Sequence, residues 1–477
     1  MRIVIGCDTF PPDINGAARF AERLAGGLVS RGHEVHVIAP AFSKVHGRFL
    51  ETHDGVDIIV HRIKSVRWWP HATLRYVWPY TFQPHANRLI REIAPDAVHS
   101  QSQLIVGRYL SRAAKKQGIR LIATNHIMPE NLIRYTVIIP NWFKKTAMRL
   151  AWLDAGRVLR LADYVTTPTR RAADLLEAAS GLSGVLAISC GIDASKFANT
   201  APTSNHPPRV LFVGRLDFEK HIHNLLKAVA LLPESLGALV EIVGDGSERK
   251  ALTELATSLG INERVKFLGH VTEEELPLAY GRATVFAMPS IAELQSIATM
   301  EAMASGRPVV AADAMALPHL VHDGDNGYLF EPDNVEMFSD RLLRIFTADE
   351  AELERLSANS LHLIQAHDIN RTLDIFENLY RGDNQDSTTD DNLDAYAEPI
   401  GVLSAALQER VNLLRTRALE LRLGASELRD RANDRFEEVQ ERLDDLRDEV
   451  LEGVRRAGKK VRRGMRRAAD NFKASDD

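Results

Sequence analysis

The stretch Pro289–Asp313, P-S-I-A-E-L-Q-S-I-A-T-M-E-A-M-A-S-G-R-P-V-V-A-A-D, carries the pattern that decides the fold. It places two carboxylates, Glu293 and Glu301, eight positions apart in a segment of small and apolar residues. Gly306 stands where a helix C-cap is expected, and the Pro-Val-Val that follows predicts a buried strand over Arg307–Ala312. Eight residues span about 12 Å of helix, too far for an acid–base pair. The two acids are either anchors along one extended ligand, or an exposed and a capping glutamate of an ordinary amphipathic helix.

As a whole, this stretch is similar to the nucleotide-sugar site of retaining GT-B glycosyltransferases of the family-4 type. The resemblance covers about residues 1–380 and implies that Glu293 holds the hexose and Glu301 the ribose. It also implies that backbone N–H groups at Ser296 and Ile297 face the diphosphate. The family often has Gly-Phe-Gly after the first acid, whereas Leu-Gln-Ser-Ile follows it here, so bulkier side chains crowd the sugar pocket.

The segment Val210–Lys220 predicts a strand, a glycine turn and two cations at the start of a helix. Arg215 and Lys220 are suited to hold a diphosphate and to neutralise the charge that grows as the glycosyl bond breaks. Their G-R-L-x-x-x-K pattern resembles the phosphate clamp of the family, and a pair of plain surface charges is the alternative. In the family the next two strand–turn loops approach the sugar nucleotide. The glycines that would permit this approach are Gly244, Gly246 and Gly269.

The first half of the chain begins with a strand over Arg2–Cys7, a Pro/Gly loop that opens a helix, and a second strand. This βαβ arrangement predicts a parallel sheet with helices on both faces. The loop lacks G-x-G-x-x-G, which counts against a dinucleotide dehydrogenase. Gly16 in that loop either presents free N–H groups to an anion at the helix N-terminus or is a plain turn glycine. The resemblance favours contact with the donor phosphates.

Two histidines follow predicted strands, at the edge where ligands gather in open α/β sheets. By resemblance, His126 contacts the sugar near the transfer centre. His99 is the weaker candidate, and either ring is alternatively a structural imidazole satisfied by hydrogen bonds. Asp323 and Asp325 form a D-x-D pattern, but its Gly-rich context predicts a turn. No metal site is therefore expected, and no cofactor beyond the donor substrate.

Two stretches interleave aromatic residues with Lys and Arg, Val66–Gln83 and Tyr135–Trp152. Exposed rings beside cations suit a membrane interface, whereas core packing with solvated charges is the alternative. Together the two stretches favour a lipid acceptor bound by the first half of the chain. The residues proposed for this contact are Trp68, Trp69, Arg75, Trp142, Lys144 and Lys145.

The sequence predicts an α/β protein of the GT-B class, with two facing Rossmann-like, doubly wound domains, an interdomain cleft and a long C-terminal helical extension. A Pro-, Ser- and Asn-rich linker separates the two βαβ series, and an acidic polar linker follows the second. The last helix of the second domain is able to cross back to the first. The predicted segments are an acceptor-binding domain (1–197), a linker (198–208), a nucleotide-sugar domain (209–380), a flexible linker (381–398) and the extension (399–477).

The extension combines a heptad pattern with a basic end. Apolar residues recur at alternating four and three positions from Leu407 to Ala432, and the pattern slips by one at Phe436. This is typical of a self-associating coiled coil, which would make a homo-oligomer, or of a helix folded back on the enzyme. Residues 454–469 hold eight Lys or Arg and no acid. The cluster predicts attachment to an anionic membrane surface. One alternative is a solvated tail. Another is binding to nucleic acid, although no nucleic-acid recognition fold accompanies the cluster.

Length and composition are those of an ordinary soluble protein with more than one core: 477 residues, 45% hydrophobic, 26% charged and a net charge of −5. The net charge gives no general attraction to nucleic acid. The two cysteines, Cys7 and Cys190, exclude a disulfide framework or a cysteine zinc site and indicate a reducing cytoplasm. Because no signal peptide and no apolar run of 18 residues is found, the expected location is cytoplasmic, peripheral on the inner face of the membrane.

These patterns predict a retaining hexosyltransferase that moves glucose or mannose from a UDP- or GDP-sugar to a membrane lipid, resembling diacylglycerol glucosyltransferases and phosphatidylinositol mannosyltransferases. A retaining hydrolase would need two carboxyl groups about 5 Å apart, and no pair of acids in the sequence indicates such a spacing. The resemblance implies that the leaving phosphate assists the incoming hydroxyl. A soluble glycan acceptor, a GT-B nucleotide-sugar epimerase and a non-catalytic coiled-coil scaffold are the alternatives. Activity on extracted lipid, donor turnover without acceptor, and the effect of Lys220→Ala distinguish them.

Overall fold

The structure, a computed structural model, describes residues 1–13, 15–67, 75–128, 144–198 and 207–382. These ranges all belong to one compact unit of the chain, Met1–Asp390. The predictions that lie outside the described residues are those for Trp68, Trp69 and Trp142, for most of the linker 198–208, and for the segments 383–398 and 399–477.

The first half of the described chain alternates strands with helices around one sheet. Its elements are β1 (Arg2–Gly6), α1 (Gly16–Ser30), β2 (Glu34–Pro40), β3 (Gly47–His53), β4 (Val56–Ile63), β5 (Ser65–Arg67), β6 (Arg75–Val77), α2 (Pro79–Ile93), β7 (Ala97–Ser100), α3 (Ile105–Lys116), β8 (Arg120–Thr124), α4 (Lys144–Leu159), β9 (Tyr164–Thr167), α5 (Arg170–Ser180) and β10 (Leu186–Ala187). The strand order is β10-β9-β8-β7-β1-β2-β4-β3, while β5 and β6 form a separate two-stranded ribbon. Central strands such as β1 are buried, as their runs of Ile and Val predict for a parallel sheet covered by helices.

The edge of this sheet departs from the predicted parallel arrangement. β3 runs antiparallel to β4, and the two strands are joined by Asp54 and Gly55, both in the left-handed region with φ of 49° and 77°. Asp-Gly is a favoured two-residue hairpin turn because both of its positions require a positive φ. The sheet therefore ends in a hairpin instead of another βαβ unit.

The second half of the described chain forms a second sheet. Its elements are β11 (Arg209–Val213), α6 (Ile222–Ala230), β12 (Leu239–Val243), α7 (Arg249–Ser258), β13 (Val265–Gly269), α8 (Glu275–Arg282), β14 (Val285–Met288), α9 (Ile297–Ala304), β15 (Val309–Ala312), β16 (Gly327–Phe330), α10 (Val335–Phe346), α11 (Glu350–Ile364) and α12 (Ile369–Arg381). The strand order is β13-β12-β11-β14-β15-β16, and all neighbouring pairs are parallel. Two Rossmann-like sheets, each wound with helices, confirm the predicted fold class.

The sequence pattern over 350–380 predicts one helical region, and the structure divides it in two. Helix α11 ends at Ile364, and a short 3-10 turn follows at Gln365–His367. Helix α12 then begins after Asp368, whose carboxylate accepts a hydrogen bond from the backbone N–H of Asn370. A carboxylate N-cap of this kind starts a new helix because it satisfies a donor that lacks an intrahelical partner.

Helix α12 lies against the first half of the chain, although it follows the second sheet. Arg31 Nη1 donates to Asp374 Oδ1 at 2.6 Å. Near the end of the helix, the Tyr380 hydroxyl lies 2.6 Å from His99 Nδ1 in the interior of the first half. The largest hydrophobic cluster accordingly contains residues of both halves. This helix therefore helps to fix the two sheets relative to one another.

Part of the second aromatic stretch belongs to the core and not to the surface. Trp152 on α4 is 6% exposed and lies in a buried cluster with Ala155, Leu159 and Leu176. Helices α4 and α5 contact each other along this face. Core packing, one of the two interpretations left open for this stretch, therefore holds at Trp152.

Candidate active site

A cleft of about 390 Å³ lies between the two halves of the described chain. The first half lines it with the loop after β1 and the start of α1, and the second half with the loops after β11, β12, β13 and β14. These loops follow the carboxyl ends of parallel strands, where open α/β sheets bind ligands. The charged or polar residues of the lining are Asp13, Asn15, Arg19, Glu22, Arg215, Lys220, Asp245, His270, Glu273, Glu293, Gln295, Ser296 and Glu301.

Lys220 and Glu293 come from different loops and meet in this cleft. Lys220 ends the 3-10 turn Phe218–Lys220 after β11, whereas Glu293 lies between β14 and α9. Their side chains form an ion pair and are 16% and 11% exposed. The residues predicted to hold the diphosphate and the hexose are therefore neighbours in one wall of the cleft.

Arg215 lines the cleft from the same loop as Lys220. Its Nη1 contacts the carboxylate of Asp217, and its Nη2 lies 3.3 Å from Glu219 Oε1. Asp217 is itself buried, so these carboxylates hold the guanidinium in one orientation. An anionic ligand in the cleft would meet a cation whose position is already fixed.

Helix α9 begins later than the sequence pattern predicts. Ser296 is its N-cap, and Ser296 Oγ accepts a hydrogen bond from the backbone N–H of Thr299 at 3.3 Å. Glu293 therefore precedes the helix and only Glu301 lies on it, because serine favours the cap position over the helix interior. Ser296 and Ile297 line the cleft. The first N–H groups of a helix lack intrahelical acceptors and favour an anion at this end.

Glu301 is buried at the cleft and holds two partners. Its Oε1 accepts a hydrogen bond from Arg23 Nη2 at 2.7 Å, and its Oε2 accepts one from the Tyr280 hydroxyl at 3.0 Å. Burial raises the pKa of Tyr280, so the phenol stays protonated and donates. Each carboxylate oxygen keeps a second lone pair that can accept from a ligand hydroxyl. Neither partner was predicted from the sequence.

A second arginine of α1 also reaches the opposite half of the chain. Arg19 pairs with Glu273, which follows β13, and lies 3.0 Å from Glu22 within α1. Arg19 and Arg23 are four residues apart, so both project from the same face of the helix. This spacing, directly after the Gly16 loop, was the signal available in the sequence.

Two of the four glycines predicted to approach the donor line the cleft. Gly16 and Gly244 do so, whereas Gly246 and Gly269 are not among the lining residues. Gly244 has a φ of 123°, and a Cβ there would lie 2.0 Å from a backbone oxygen of the loop after β11. A Cβ on Gly246 would lie 2.5 Å from the carbonyl oxygen of Leu216 in the same loop. Both positions exclude a side chain because the loops after β11 and β12 touch.

His126 is not among the residues that line the cleft, and it belongs to a hydrogen-bond network. Its Nε2 lies 2.9 Å from Gln101 Oε1, and Gln101 Nε2 lies 3.3 Å from His99 Nε2. Burial lowers the pKa of His126 and of His99 to about 3, so both rings are neutral at pH 7. When His126 donates from Nε2 to Gln101, its Nδ1 is left as an acceptor.

Three of the residues proposed for membrane contact fall within the described chain. Lys144 and Lys145 begin α4 and are exposed. Arg75 instead forms a hydrogen bond within the β5–β6 ribbon, where its Nε donates to Ser65 Oγ at 2.7 Å. In the described ranges no helix combines the length and apolarity that crossing a bilayer requires.

Two family profiles match the chain in succession. The profile described as Glycosyltransferase Family 4 matches residues 14–196. The profile described as Glycosyl transferases group 1 matches residues 195–362. The boundary between the two matched regions lies between the last strand of the first sheet and the first strand of the second.

Relatives with named activities align over most of the chain. A GDP-mannose-dependent alpha-mannosyltransferase of Mycolicibacterium smegmatis is 31% identical over 346 residues, which is 70% of this chain and 86% of that protein. The protein of the same name from Mycobacterium tuberculosis is 30% identical over 327 residues, 66% of this chain and 79% of the relative. An alpha-monoglucosyldiacylglycerol synthase of Acholeplasma laidlawii is 26% identical over 347 residues, 69% and 85% of the two chains.

Several solved structures have a fold similar to that of this chain. A sucrose-phosphate synthase from Thermosynechococcus elongatus superimposes with a TM-score of 0.66 at 20% identity, covering 80% of this chain and 98% of that one. Anabaena HepE in complex with UDP-glucose gives a TM-score of 0.61 at 19% identity, covering 80% and 100%. Together with the two family profiles and the mycobacterial relatives, these findings show that the chain belongs to the family 4, group 1 glycosyltransferases and is a glycosyltransferase of the GT-B fold.

Proposed function

We propose that this glycosyltransferase moves a hexose, glucose or mannose, from a nucleoside diphosphate sugar to a membrane lipid with retention of configuration. The observation that carries the proposal is the meeting of Lys220, Glu293 and Arg215 in one interdomain cleft. A diphosphate requires counter-charge and sugar hydroxyls require an acceptor, so two cations beside a carboxylate suit a sugar diphosphate.

In the proposed complex, the diphosphate lies at the N-terminus of α9 between Arg215 and Lys220. Glu293 accepts hydrogen bonds from the hexose and Glu301 from the ribose. UDP-glucose and GDP-mannose are the first donors to test, because HepE was solved with UDP-glucose and the mycobacterial relatives are named as GDP-mannose-dependent.

The proposed reaction uses no metal and no carboxylate as general base. The bond between the anomeric carbon and the leaving phosphate oxygen breaks, the acceptor hydroxyl adds to the same face, and its proton passes to that phosphate oxygen. Arg215 and Lys220 neutralise the charge that develops on the leaving diphosphate. His126 is neutral because burial lowers its pKa to about 3, and since it does not line the cleft we assign it no proton transfer.

The proposal of a lipid acceptor is supported by exposed aromatic and basic residues of the first half. Trp78 and Tyr80 at the start of α2 are 54% and 80% exposed, and Leu150 on α4 is 54% exposed. Lys144 and Lys145 stand at the start of α4. Surface rings beside cations are typical of a membrane interface, and two relatives are named as monoglucosyldiacylglycerol synthases. We therefore expect a peripheral enzyme on the inner face of the membrane.

The test is a matrix of donors and acceptors with the full chain. UDP-glucose and GDP-mannose are each incubated with vesicles containing diacylglycerol or phosphatidylinositol, with a soluble sugar, and without acceptor, and the release of nucleoside diphosphate is followed. We expect one donor to turn over with one lipid, and the anomeric configuration of the glycolipid, read by NMR, to match that of the donor. Turnover with soluble acceptors alone would overturn the lipid assignment, and turnover without acceptor would indicate the epimerase.

The exposed rings allow a sharper test of the acceptor surface. The Trp78→Ala/Tyr80→Ala variant should raise the apparent KM for vesicle lipid at least about tenfold, because each ring contributes a large apolar area to a membrane contact. Leu231→Ala, which removes a 56% exposed side chain of the second half, is the matched control and should leave this KM unchanged. Equal effects of both variants would contradict a membrane role for α2.

A further inference from the structure

A cluster of two histidines and one aspartate lies directly beside the Lys220 turn. His221 and His223 form a His-x-His pattern immediately after Lys220, and Asp333 comes from the loop between β16 and α10. Among the described residues this is the one group of three His, Cys, Asp or Glu side chains whose possible ligand atoms all lie within 4.8 Å of one another. None of the three residues lines the interdomain cleft.

His221 is buried in an unusual backbone conformation. Its φ is 47°, in the left-handed region that non-glycine residues rarely occupy, and it is 6% exposed. Its Nδ1 lies 2.9 Å from Asp333 Oδ1, and its Nε2 has no hydrogen-bond partner among the described residues. Buried polar atoms are almost always satisfied, so the unpartnered Nε2 of this buried ring points to a partner of another kind.

The other two side chains lie close to the His221 ring. Asn224 Nδ2 donates to Asp333 Oδ1 at 2.9 Å, which leaves Oδ2 and a further lone pair of the carboxylate available. The rings of His221 and His223 are 5.1 Å apart, and the ring of Phe218 lies against both. An amide that donates a hydrogen bond to a carboxylate is the kind of outer partner that orients a metal ligand.

From this geometry we infer that His221, His223 and Asp333 form a site for a divalent transition metal ion, with Zn²⁺ as the ion of choice. Two imidazoles and one carboxylate are a donor set that Zn²⁺ binds tetrahedrally, with water as the fourth ligand. Ligand atoms within 4.8 Å of one another reach metal–ligand distances of about 2.0–2.2 Å through side-chain rotation. Magnesium is disfavoured because it prefers oxygen ligands.

Occupancy of this site would constrain the turn that presents Lys220 to the cleft. The metal would join that turn to the loop before α10, two segments otherwise linked through His221 and Asn224 to Asp333. We therefore expect the metal to tighten the binding of a nucleoside diphosphate. This consequence depends on the proposed function, whereas metal binding itself does not.

The test is Co²⁺ and Zn²⁺ binding by the full chain after treatment with a chelator. Co²⁺ reports tetrahedral coordination through its visible d–d absorption, which Zn²⁺ should displace with a stoichiometry of one ion per chain. His223→Ala and Asp333→Asn should abolish this band, and Asn224→Ala, which removes the outer partner, should weaken Co²⁺ binding about 10–100-fold. His46→Ala, which removes an exposed histidine before β3, should leave the band unchanged.

A thermal unfolding experiment without metal shows whether each variant is folded. In the wild-type chain, Zn²⁺ should raise Tm because it binds only the folded state, and in folded His223→Ala it should not. Retention of the Co²⁺ band by both His223→Ala and Asp333→Asn, or absence of any tetrahedral band from the wild-type chain, would overturn the site. If the band behaves as expected but UDP and GDP affinities do not respond to Zn²⁺, the metal site stands and only its coupling to the cleft fails.

Discussion

Lys220 and Glu293 neutralise each other in the wall of the cleft. Both side chains are largely buried, and a buried charge without a partner is strongly destabilising. The pair therefore lets the protein hold a cation and an anion at the donor site without leaving either unpaired. A sugar diphosphate would offer phosphate oxygens to the lysine and hydroxyl donors to the glutamate, so both charges would keep partners in the complex.

We predict that Lys220→Ala lowers kcat for donor turnover by about 10²–10³-fold, because it removes a fixed charge from the leaving diphosphate. Steady-state release of nucleoside diphosphate measures this. Lys227→Ala is the control, since Lys227 is an exposed lysine of the neighbouring helix α6 and should change kcat less than threefold.

A double-mutant cycle tests whether Lys220 and Glu293 serve the same ligand. Each single variant should lose activity, and the Lys220→Ala/Glu293→Gln variant should lose less than the product of the two single losses, because residues in contact are coupled. Strict multiplicativity would mean that the two side chains act at separate places, and the shared donor site would then be wrong.

That Lys220, Glu293 and Glu301 lie in one cleft was predictable because each stands within a local pattern of strand, turn and helix. Arg23 and Tyr280, which hold Glu301, were not. Arg23 lies 278 positions away in the chain, and only the docking of α1 onto the second half brings it to the carboxylate. The four-residue spacing of Arg19 and Arg23 indicates a shared helix face, but no local pattern specifies the carboxylate that Arg23 meets.

At the level of elements, strands β2 and β4 share a buried pair of histidines. His36 Nδ1 lies 3.0 Å from His61 Nε2. Burial, together with the electrostatic effect of the neighbouring His36, Arg48 and His85, lowers the pKa of His61 to about 4. His61 is therefore neutral in the fold at pH 7, whereas in the unfolded chain it titrates near pH 6.5.

We predict that this pair makes the first half acid-sensitive. As the pH falls below 6.5, the unfolded chain takes up a proton at His61 that the folded chain does not accept until about pH 4. The free energy of unfolding should therefore decrease by about 2 kcal/mol more in the wild-type chain than in His61→Gln between pH 7.5 and 5. Urea unfolding at a series of pH values measures the difference.

His46→Gln serves as the control, because this exposed histidine before β3 should leave the pH dependence as it is in the wild-type chain. Parallel pH profiles for His61→Gln and the wild-type chain would show that His61 does not remain neutral in the fold. Glu34, whose Oε1 lies 3.0 Å from His36 Nε2, is retained in all of these variants.

Element types followed from the sequence, but several of their boundaries did not. The runs of Val and Ile identified the parallel strands, since only buried strands tolerate them on both faces. The β3–β4 hairpin was missed although Asp54-Gly55 is a hairpin turn signal. The start of α9 was misplaced because Ser296 was not recognised as its cap.

At the scale of the molecule, the site exists because the two halves are held together. Helix α12 contacts the first half through Arg31 and Asp374, and Arg23 of α1 joins Glu301 of α9. The sequence predicts two Rossmann-like halves with a cleft, because each half shows its own βαβ series. It does not predict which side chains meet across the cleft, since that depends on the relative placement of both sheets.

The basic end of the chain supplies a prediction for the whole protein on a membrane. Residues 454–469 carry eight cations and no acid; they lie outside the described residues, and the prediction rests on sequence. Each cation near an anionic surface contributes about 1 kcal/mol. Replacing Arg455, Arg456, Arg462 and Arg463 by Gln should therefore weaken binding to phosphatidylserine vesicles about 10³-fold, as measured by co-sedimentation.

The matched control replaces Arg415, Arg417, Arg422 and Arg429, which lie earlier in the same extension, and changes the net charge by the same amount. If attachment depends on the dense basic cluster, the control should bind anionic vesicles as the wild-type chain does, because isolated Arg residues among Glu and Asp create no net positive surface. Binding should also fall with rising salt, since ions screen surface charges. Equal losses in both variants would mean that overall charge governs binding. If the protein instead binds neutral phosphatidylcholine vesicles, and none of the substitutions weakens this binding, the membrane contact would be made by the exposed rings at the start of α2.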